Sequence, residues 1–290
     1  MKFFKLTGNG IGDRLDVFAH TQLPELSRSS VQKLIDEKRI TVNGNKEKTG
    51  YKLKQGDAVT IDFDSNSLKE VPEIDLPVLY EDDDCIVINK PAGVLTHSKG
   101  AFNPEATVAS FVRNKVHFPT NDDPNDRAGI VHRLDRATSG VIICAKTPAA
   151  LKWLQKQFAQ RKVKKTYVAI IEGQLEPTTA VIDMPIARNP RNPKTFRVAT
   201  SGKPAKTLYR TDKTTPSHSM LILEPETGRT HQLRVHLAQL GHPIVGDELY
   251  DGAPAKRMML HANKLEITLP NRQRHTFVAE IPQTLQNSLV

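Results

Sequence analysis

Helical and alternating hydrophobic patterns succeed one another from the start of the chain, which predicts a mixed fold and not an all-helical or all-β one. Asp13-Arg14-Leu15-Asp16-Val17-Phe18 opens a first helix. A second follows Leu26-Ser27, with Ser27 as N-cap and Val31, Leu34 and Ile35 at helical spacing on one face. Ile40-Thr41-Val42-Asn43-Gly44 then reads as a strand entering a turn, because Asn-Gly favours a tight hairpin. Residues 51–61 read as the return strand through a second turn at Gly56-Asp57, and the opening eight residues read as a terminal strand.

Ser65-Asn66-Ser67, Pro72 and Pro77 then interrupt regular structure, and Glu70, Glu73 and Asp75 make the stretch acidic. The pattern therefore predicts a small module over residues 12–63, a linker over 64–77 and a large module over 78–290. In the large module, Val78-Leu79-Tyr80 and Cys85-Ile86-Val87-Ile88-Asn89 read as paired strands around the acidic Asp82, Asp83 and Asp84. Thr107 caps a short helix that turns Val108, Phe111 and Val112 inward, and residues 120–126 form an acidic loop. Thr147-Pro148 starts a clearer helix, with Leu151, Leu154 and Phe158 on its inner stripe and Trp153 off it, packed against a sheet edge. Further strands are predicted at residues 166–171, 206–210, 220–224, 260–262, 265–267 and 276–279. Between them lies a helix capped by Thr230, with Leu233, Leu237 and Leu240 inward and Gly241 ending it.

Composition narrows the partners. A formal net charge of +9 makes a polyanion the leading partner class, though basicity alone leaves nucleic acid, an anionic membrane and plain solubility open. No apolar run approaches the roughly 18 residues of a spanning helix, and the start lacks a signal peptide's apolar core. Cys85 and Cys144, each inside a β-branched run, read as reduced core residues of a cytoplasmic protein. No histidine pair has a zinc site's spacing, so no metal is expected. The positive charge is uneven. Arg28, Lys33, Lys38 and Arg39 fall on or beside the second helix; Lys152, Lys156, Arg161, Lys162, Lys164 and Lys165 follow Thr147; Arg188, Arg191, Lys194, Arg197, Lys203 and Lys206 form an arm without an acid.

The stretch with the most chemistry is His132-Arg133-Leu134-Asp135-Arg136-Ala137-Thr138-Ser139-Gly140. It sets one carboxylate between two guanidiniums, which favour its charged form, directly before the β run at Val141. On residues alone this is equally a structural ion pair or a reactive site. Pro91-Ala92-Gly93 makes a sharp turn, since Pro91 removes a donor and Gly93 permits a positive φ.

His132-Arg133-Leu134-Asp135 with Thr138-Ser139-Gly140 resembles the signature of the RluA-type RNA pseudouridine synthases. The resemblance continues, in the family's order, through Asn89-Lys90-Pro91-Ala92-Gly93, Lys165-Thr166-Tyr167, Gly228-Arg229-Thr230-His231-Gln232-Leu233-Arg234 and Leu260-His261-Ala262. The stretch at Thr96-His97-Ser98-Lys99 departs from it, where relatives continue with His-Pro and a glycine-rich loop, and supports no functional assignment. Residues 12–63, with Val42-Asn43-Gly44 and Gly56-Asp57, resemble an S4 RNA-binding domain.

The resemblance implies an α+β pseudouridine synthase fold with a long, largely antiparallel mixed sheet and a central cleft, plus a small N-terminal α/β S4-like domain. It implies isomerisation of uridine to pseudouridine in structured RNA without metal or other cofactor. In it Asp135 is the catalytic residue, Tyr167 lies against the uracil, and Arg234 forms a salt bridge to Asp135. Leu260 is an apolar wall, Arg133 fills the space left by the flipped nucleotide, and Lys165, Arg229, Arg188 and Arg191 belong to the substrate-binding surface. The Lys90 motif shapes the core beneath the site in the resemblance, while Lys90 as a residue is equally a solvated strand end. Arg28, Lys33, Lys38 and Arg39 would grip RNA phosphates. The expected substrate is 23S ribosomal RNA, with transfer RNA as the alternative, and the expected enzyme is a monomer. The remaining alternatives are a non-catalytic RNA-binding assembly factor and, less favoured, a hydrolase of free uridine.

Overall fold

The computed structural model describes residues 1–64, 72–97, 105–117 and 129–289. Ser65-Asn66-Ser67 and Glu70 of the expected linker, the segment from Ser98 and the loop at 120–126 lie outside these. The contacts divide the chain into two units, one built mainly from residues 1–74 and the other from 75–96 and 128–290.

In the first unit β1 (Lys2–Lys5) is followed by α1 (Leu15–Gln22), α2 (Arg28–Asp36), β2 (Ile40–Val42) and β3 (Ala58–Ile61). The three strands form one sheet in the order β1-β3-β2, so the opening residues do form a terminal strand. Ser27 caps α2 by accepting a hydrogen bond from Ser30 N–H at 3.2 Å. Val31, Leu34 and Ile35 are fully buried with Leu15, Leu23, Val59 and Ile61. Asn43 and Gly44 take the positive φ angles expected, 52° and 77°. They close the tight turn expected: Val42 and Asn45 pair antiparallel across it, each donating its N–H to the other's carbonyl at 2.9 Å, while the rest of β2 pairs with β3. Side chains tie this turn to the next one: Asn43 Nδ2 donates to Asp57 at 2.9 Å and Asn43 Oδ1 accepts from Ala58 N–H at 2.9 Å.

The carboxylate of Asp16 is buried in this unit. It accepts from Arg14 at 2.9 Å, Arg28 at 3.1 Å and Gln32 at 3.4 Å. Arg28 is thus partly committed to structure. The bond from Arg14, followed by opposing burial and the bond from Arg28, lowers the Asp16 carboxyl from the ordinary 3.8 to about 2. Its contribution is present above pH 4 and lost as pH falls through about 2. Asp16→Asn should weaken this unit by about 1–3 kcal/mol at neutral pH, toward the low end because both arginines are half exposed. Amide exchange at Leu34 and Ile35 reads this out; unchanged protection would contradict it.

The second unit contains β4 (Val78–Glu81), β5 (Cys85–Lys90), β6 (Ser139–Ala145), β7 (Lys164–Glu172), β8 (Thr179–Asp183), β9 (Ile186–Arg188), β10 (Phe196–Val198), β11 (Lys206–Thr214), β12 (His218–Pro225), β13 (Leu260–Thr268) and β14 (Arg274–Val278). Its helices include α4 (Pro148–Ala159), α5 (Gln232–Gln239) and α6 (Gln283–Gln286), while α3 (Val108–Arg113) begins just after its cap Thr107. Nine strands make one sheet in the order β4-β5-β6-β13-β7-β12-β11-β8, with β14 on β13. All pairs are antiparallel except β6 with β13, which match only at His261↔Ser139 and Ala262↔Gly140. Gly140, with φ 116°, is required there, since a Cβ would collide with the Ala262 carbonyl. The sheet is therefore thinly joined at its middle, and the polar groups of the site gather around this junction.

One apolar cluster sits on Val168, Ile170, Leu221 and Leu223 of β7 and β12 with Leu233 and Leu237 of α5, and another on Val87, Val141 and Ile143 with Leu154 of α4 and Phe277. Thr147 caps α4, accepting from Ala150 N–H at 3.2 Å, and Trp153 donates to the Thr268 carbonyl at 2.8 Å, the sheet-packing use expected of it. Two details of α5 differ from expectation. Leu240 is 39% exposed, and the N-cap is His231 in a left-handed conformation in place of Thr230. The helix starts there because the Gln232 side chain satisfies the loop before it: its oxygen accepts from Arg229 N–H at 2.9 Å and the Thr227 hydroxyl at 2.7 Å.

Candidate active site

Asp135 sits in the turn leading into β6, and that turn is held from beneath. The Thr96 hydroxyl donates to the Leu134 carbonyl at 2.8 Å and accepts from Leu134 N–H at 3.2 Å. Gly93 N–H donates to the Arg136 carbonyl at 2.8 Å. Lys90 is fully buried, and its ammonium donates to the carbonyls of Pro91 and Val94 at 2.9 Å and of Arg136 at 3.3 Å. Burial lowers its pKa to about 7. The question left open for Lys90 is thereby answered: it is a core group that ties one turn to the other. His132 pins the opposite side. Its Nε2 accepts from Ile143 N–H at 3.1 Å and its ring stacks on Phe158 at 4.6 Å, while burial pushes its pKa down to about 3, so the imidazole is neutral.

Arg234 approaches Asp135 from the first turn of α5. Its Nη1 donates to Asp135 Oδ2 at 3.3 Å. Its Nε and Nη2 donate to the two oxygens of buried Asp247 at 2.7 and 2.6 Å, which fixes the guanidinium plane. Asp247 was not singled out from sequence as a site residue. The stretch Ile244-Val245-Gly246-Asp247-Glu248-Leu249-Tyr250 continues the resemblance, without a role assigned to the acid. His231 Nε2 stands 3.8 Å from the same Oδ2. Among the described residues, Asp135 Oδ1 has no donor, so one oxygen is anchored and the other is open to a reactant.

A cavity of about 120 Å³ opens in front of Asp135, lined by Arg133, Lys165, Tyr167, Arg229, Arg234 and Leu260 among others. Seven residues predicted from widely separated motifs therefore share one wall. Burial, and then the charge of Asp135, raise the Tyr167 phenol well above its ordinary value, so it stays protonated. Lys165 donates to the Thr227 carbonyl at 3.2 Å, and burial lowers its pKa to about 8. Leu260 is held by Arg257, which donates to its carbonyl at 3.3 Å and to Ser139 Oγ at 2.6 Å. Ser139 in turn lies 2.7 Å from His261 Nδ1, and His261 Nε2 lies 3.1 Å from the Ala279 carbonyl. A carbonyl accepts only, so Nε2 carries the proton and Ser139 donates to Nδ1. Arg257 was missed because it precedes its motif and has no pattern of its own.

A second cavity of about 460 Å³ shares Arg133, Lys165, Tyr167 and Arg229 as its wall and adds Arg161. Arg188 and Arg191 line neither. They lie on a β9–β10 hairpin with the register Phe196↔Arg188 to Val198↔Ile186, which gives the basic arm its form. Arg28, Lys33, Lys38 and Arg39 belong to the other unit. Lys33 is 3.7 Å from Glu37, and Arg39 lies 5.9 Å over the Phe63 ring.

Chemically, the first cavity offers one carboxylate with one free oxygen, a protonated phenol, an apolar wall and a cationic rim. Asp135 is the only acid lining it among the described residues. Among the described residues no three His, Cys, Asp or Glu side chains group as a metal site would require, and no helix is long and apolar enough to cross a membrane.

The RNA pseudouridylate synthase family matches residues 84–239, and the S4 domain matches residues 13–59. A "Ribosomal large subunit pseudouridine synthase D" of Borreliella burgdorferi is 37% identical over 286 residues, covering 93% of this chain and 86% of the relative. Its Escherichia coli K12 counterpart is 39% identical over 251 residues, covering 85% and 75%. Among solved structures, "Human RNA Pseudouridylate Synthase Domain Containing 1" aligns with a TM-score of 0.58 and 29% identity over 72% of this chain and 85% of that one.

Proposed function

Because the chain belongs to the RluA-type RNA pseudouridine synthase family, an isomerase of uridine in RNA with an S4 domain, we propose that Asp135, Tyr167 and Arg234 carry the reaction on 23S ribosomal RNA. The supporting observation is the Asp247–Arg234–Asp135 chain at the mouth of a cavity walled by Tyr167 and Leu260. The target nucleotide leaves its stack at a cost of a few kcal/mol and enters this cavity, with Arg133 at the rim taking its place in the RNA. The N1–C1′ bond breaks, the uracil turns against Tyr167 and Leu260, and C5–C1′ forms. N1 gains a proton and C5 loses one. Asp135 Oδ1 is the oxygen placed to act on the ribose or the base, while Arg234 holds Oδ2 and keeps the carboxylate oriented. The protonated Tyr167 packs on the base and is in the form that donates a proton.

Lys165, Arg229, Arg188 and Arg191 supply phosphate contacts on the same unit, and Arg28, Lys33, Lys38 and Arg39 do so on the S4 unit; such contacts position RNA without reading its sequence. Ribosomal RNA is favoured by the names of the relatives and by two cationic units, which suit a large folded RNA better than a short stem-loop. The enzyme so read is cytoplasmic and acts as a monomer. Pseudouridine mapping of all stable RNAs in a deletion strain should show loss confined to 23S ribosomal RNA; loss confined to transfer RNA would overturn the substrate, and no loss would overturn the function.

A further inference from the structure

We infer that His231 is a positioning residue for Asp135, held in register by Tyr250 and by the β9–β10 hairpin, so that the basic arm and the reacting carboxylate are parts of one mechanical unit. The inference rests on Asp135 being the reacting group. Phe196, at the start of β10, donates its backbone N–H to the Tyr250 hydroxyl at 2.9 Å. That hydroxyl lies 2.7 Å from His231 Nδ1. The tyrosine oxygen accepts from Phe196 and has its own proton to donate to Nδ1. The tautomer that suits both neighbours carries the imidazole proton on Nε2, the nitrogen that faces the accepting Asp135 Oδ2 at 3.8 Å. Burial, against the opposing charge of Asp135, lowers the His231 pKa, and the neutral ring directs its N–H dipole at the carboxylate without competing with Arg234 for its charge.

Packing fixes the same geometry. The His231 ring meets Phe196 edge-on at 5.5 Å and Tyr250 edge-on at 5.6 Å. Arg188 lies 4.9 Å over the other ring in the series, Phe196, and Arg234 lies 4.9 Å over Tyr250. His231 itself takes φ 57°, a left-handed conformation uncommon among residues other than glycine. From this N-cap of α5 the side chain meets Tyr250 on one nitrogen and faces Asp135 with the other. A distance of 3.8 Å is longer than a hydrogen bond, and contacts of this kind shorten when substrate closes the site. RNA gripping Arg188 bears on Phe196, the residue against which His231 rests.

The test uses the full-length protein in excess over stable RNA from a deletion strain, with the single-turnover rate of pseudouridine formation and the RNA affinity measured separately. His231→Ala should slow conversion about 10- to 100-fold with affinity little changed, the signature of a lost transition-state contact and not of lost binding. His231→Gln, which returns an amide N–H close to the Nε2 position, should recover most of the rate. Tyr250→Phe should slow conversion in the same sense, and combining it with His231→Ala should add little. Wild-type rates in His231→Ala or in Tyr250→Phe, or a Gln variant as slow as Ala at an unchanged unfolding midpoint, would overturn the inference. If His231→Ala does not fold, the Gln and Phe variants decide it by the same criteria. Absence of product with the wild-type protein would instead overturn the proposed function.

Discussion

Asp135→Asn should form no detectable pseudouridine while binding RNA within a few fold of the wild-type protein. The substitution keeps shape and removes charge. The amide can still accept from Arg234 at the Oδ2 position, where the carboxylate now receives Nη1 at 3.3 Å, so the turn clamped by Thr96 and Lys90 has no reason to move. What is lost is the one acid lining the cavity among the described residues. No carboxylate in the cavity wall replaces it among the described residues, and Tyr167 is held protonated by burial. Carbodiimide modification with primer extension on treated RNA reads the product, and filter binding reads affinity. Product from Asp135→Asn would remove Asp135 from the chemistry; a large loss of affinity would mean that the carboxylate serves binding.

The second large effect is expected from Arg234→Ala, and it falls on stability as well as rate. Asp247 is almost wholly buried, and its two carboxylate oxygens accept only from Arg234 among the described residues. Removing the guanidinium leaves that charge buried and unpaired, which costs about 3–5 kcal/mol where one partner of a buried pair is deleted. The same change releases Asp135 Oδ2, and a carboxylate misplaced by an ångström loses on the order of 100-fold in rate. The double variant Arg234→Ala, Asp247→Ala removes the stranded charge, so it should unfold at a higher denaturant concentration than Arg234→Ala alone and yet remain inactive. Denaturant unfolding with a parallel rate measurement separates the two. Equal stability of the single and double variants would contradict the account of the pair.

What could be read along the chain was whatever depends on near neighbours. Ser27 and Thr147 cap their helices because a cap bonds only two or three residues away. Asp135, Tyr167 and Arg234 come together from motifs whose order the resemblance preserved. The partners that complete the site arise from chain crossings that no local pattern records. Arg234 meets Asp247 only after α5 ends and the chain turns back. Lys90 is buried because three carbonyls from two turns meet around its ammonium, and a lysine before Pro-Ala-Gly gives no sign of that. The Asn43-Gly44 turn shows both cases: its dihedrals and its Val42–Asn45 pair follow from the residues, whereas the pairing of β2 with β3 and the bond from Asn43 to Asp57, fourteen positions on, belong to the folded chain. His231 was quoted inside a motif and assigned no role, since its left-handed backbone and its contacts with Tyr250 and Phe196 belong to the folded chain.

The central claim, that this cavity isomerises uridine in RNA through Asp135, is tested most directly by following the C5 hydrogen. RNA from a deletion strain, labelled with tritium at C5 of its uridines, would be incubated with wild-type protein and with Asp135→Asn. Joining C5 to C1′ expels that hydrogen, so the wild-type protein should release tritium to water in proportion to pseudouridine formed, leave no free uracil, and keep the RNA chain intact, while Asp135→Asn releases none. Free uracil without tritium release would mean hydrolysis, and equal release by both proteins would mean that the carboxylate on which the site is built is not its reacting group.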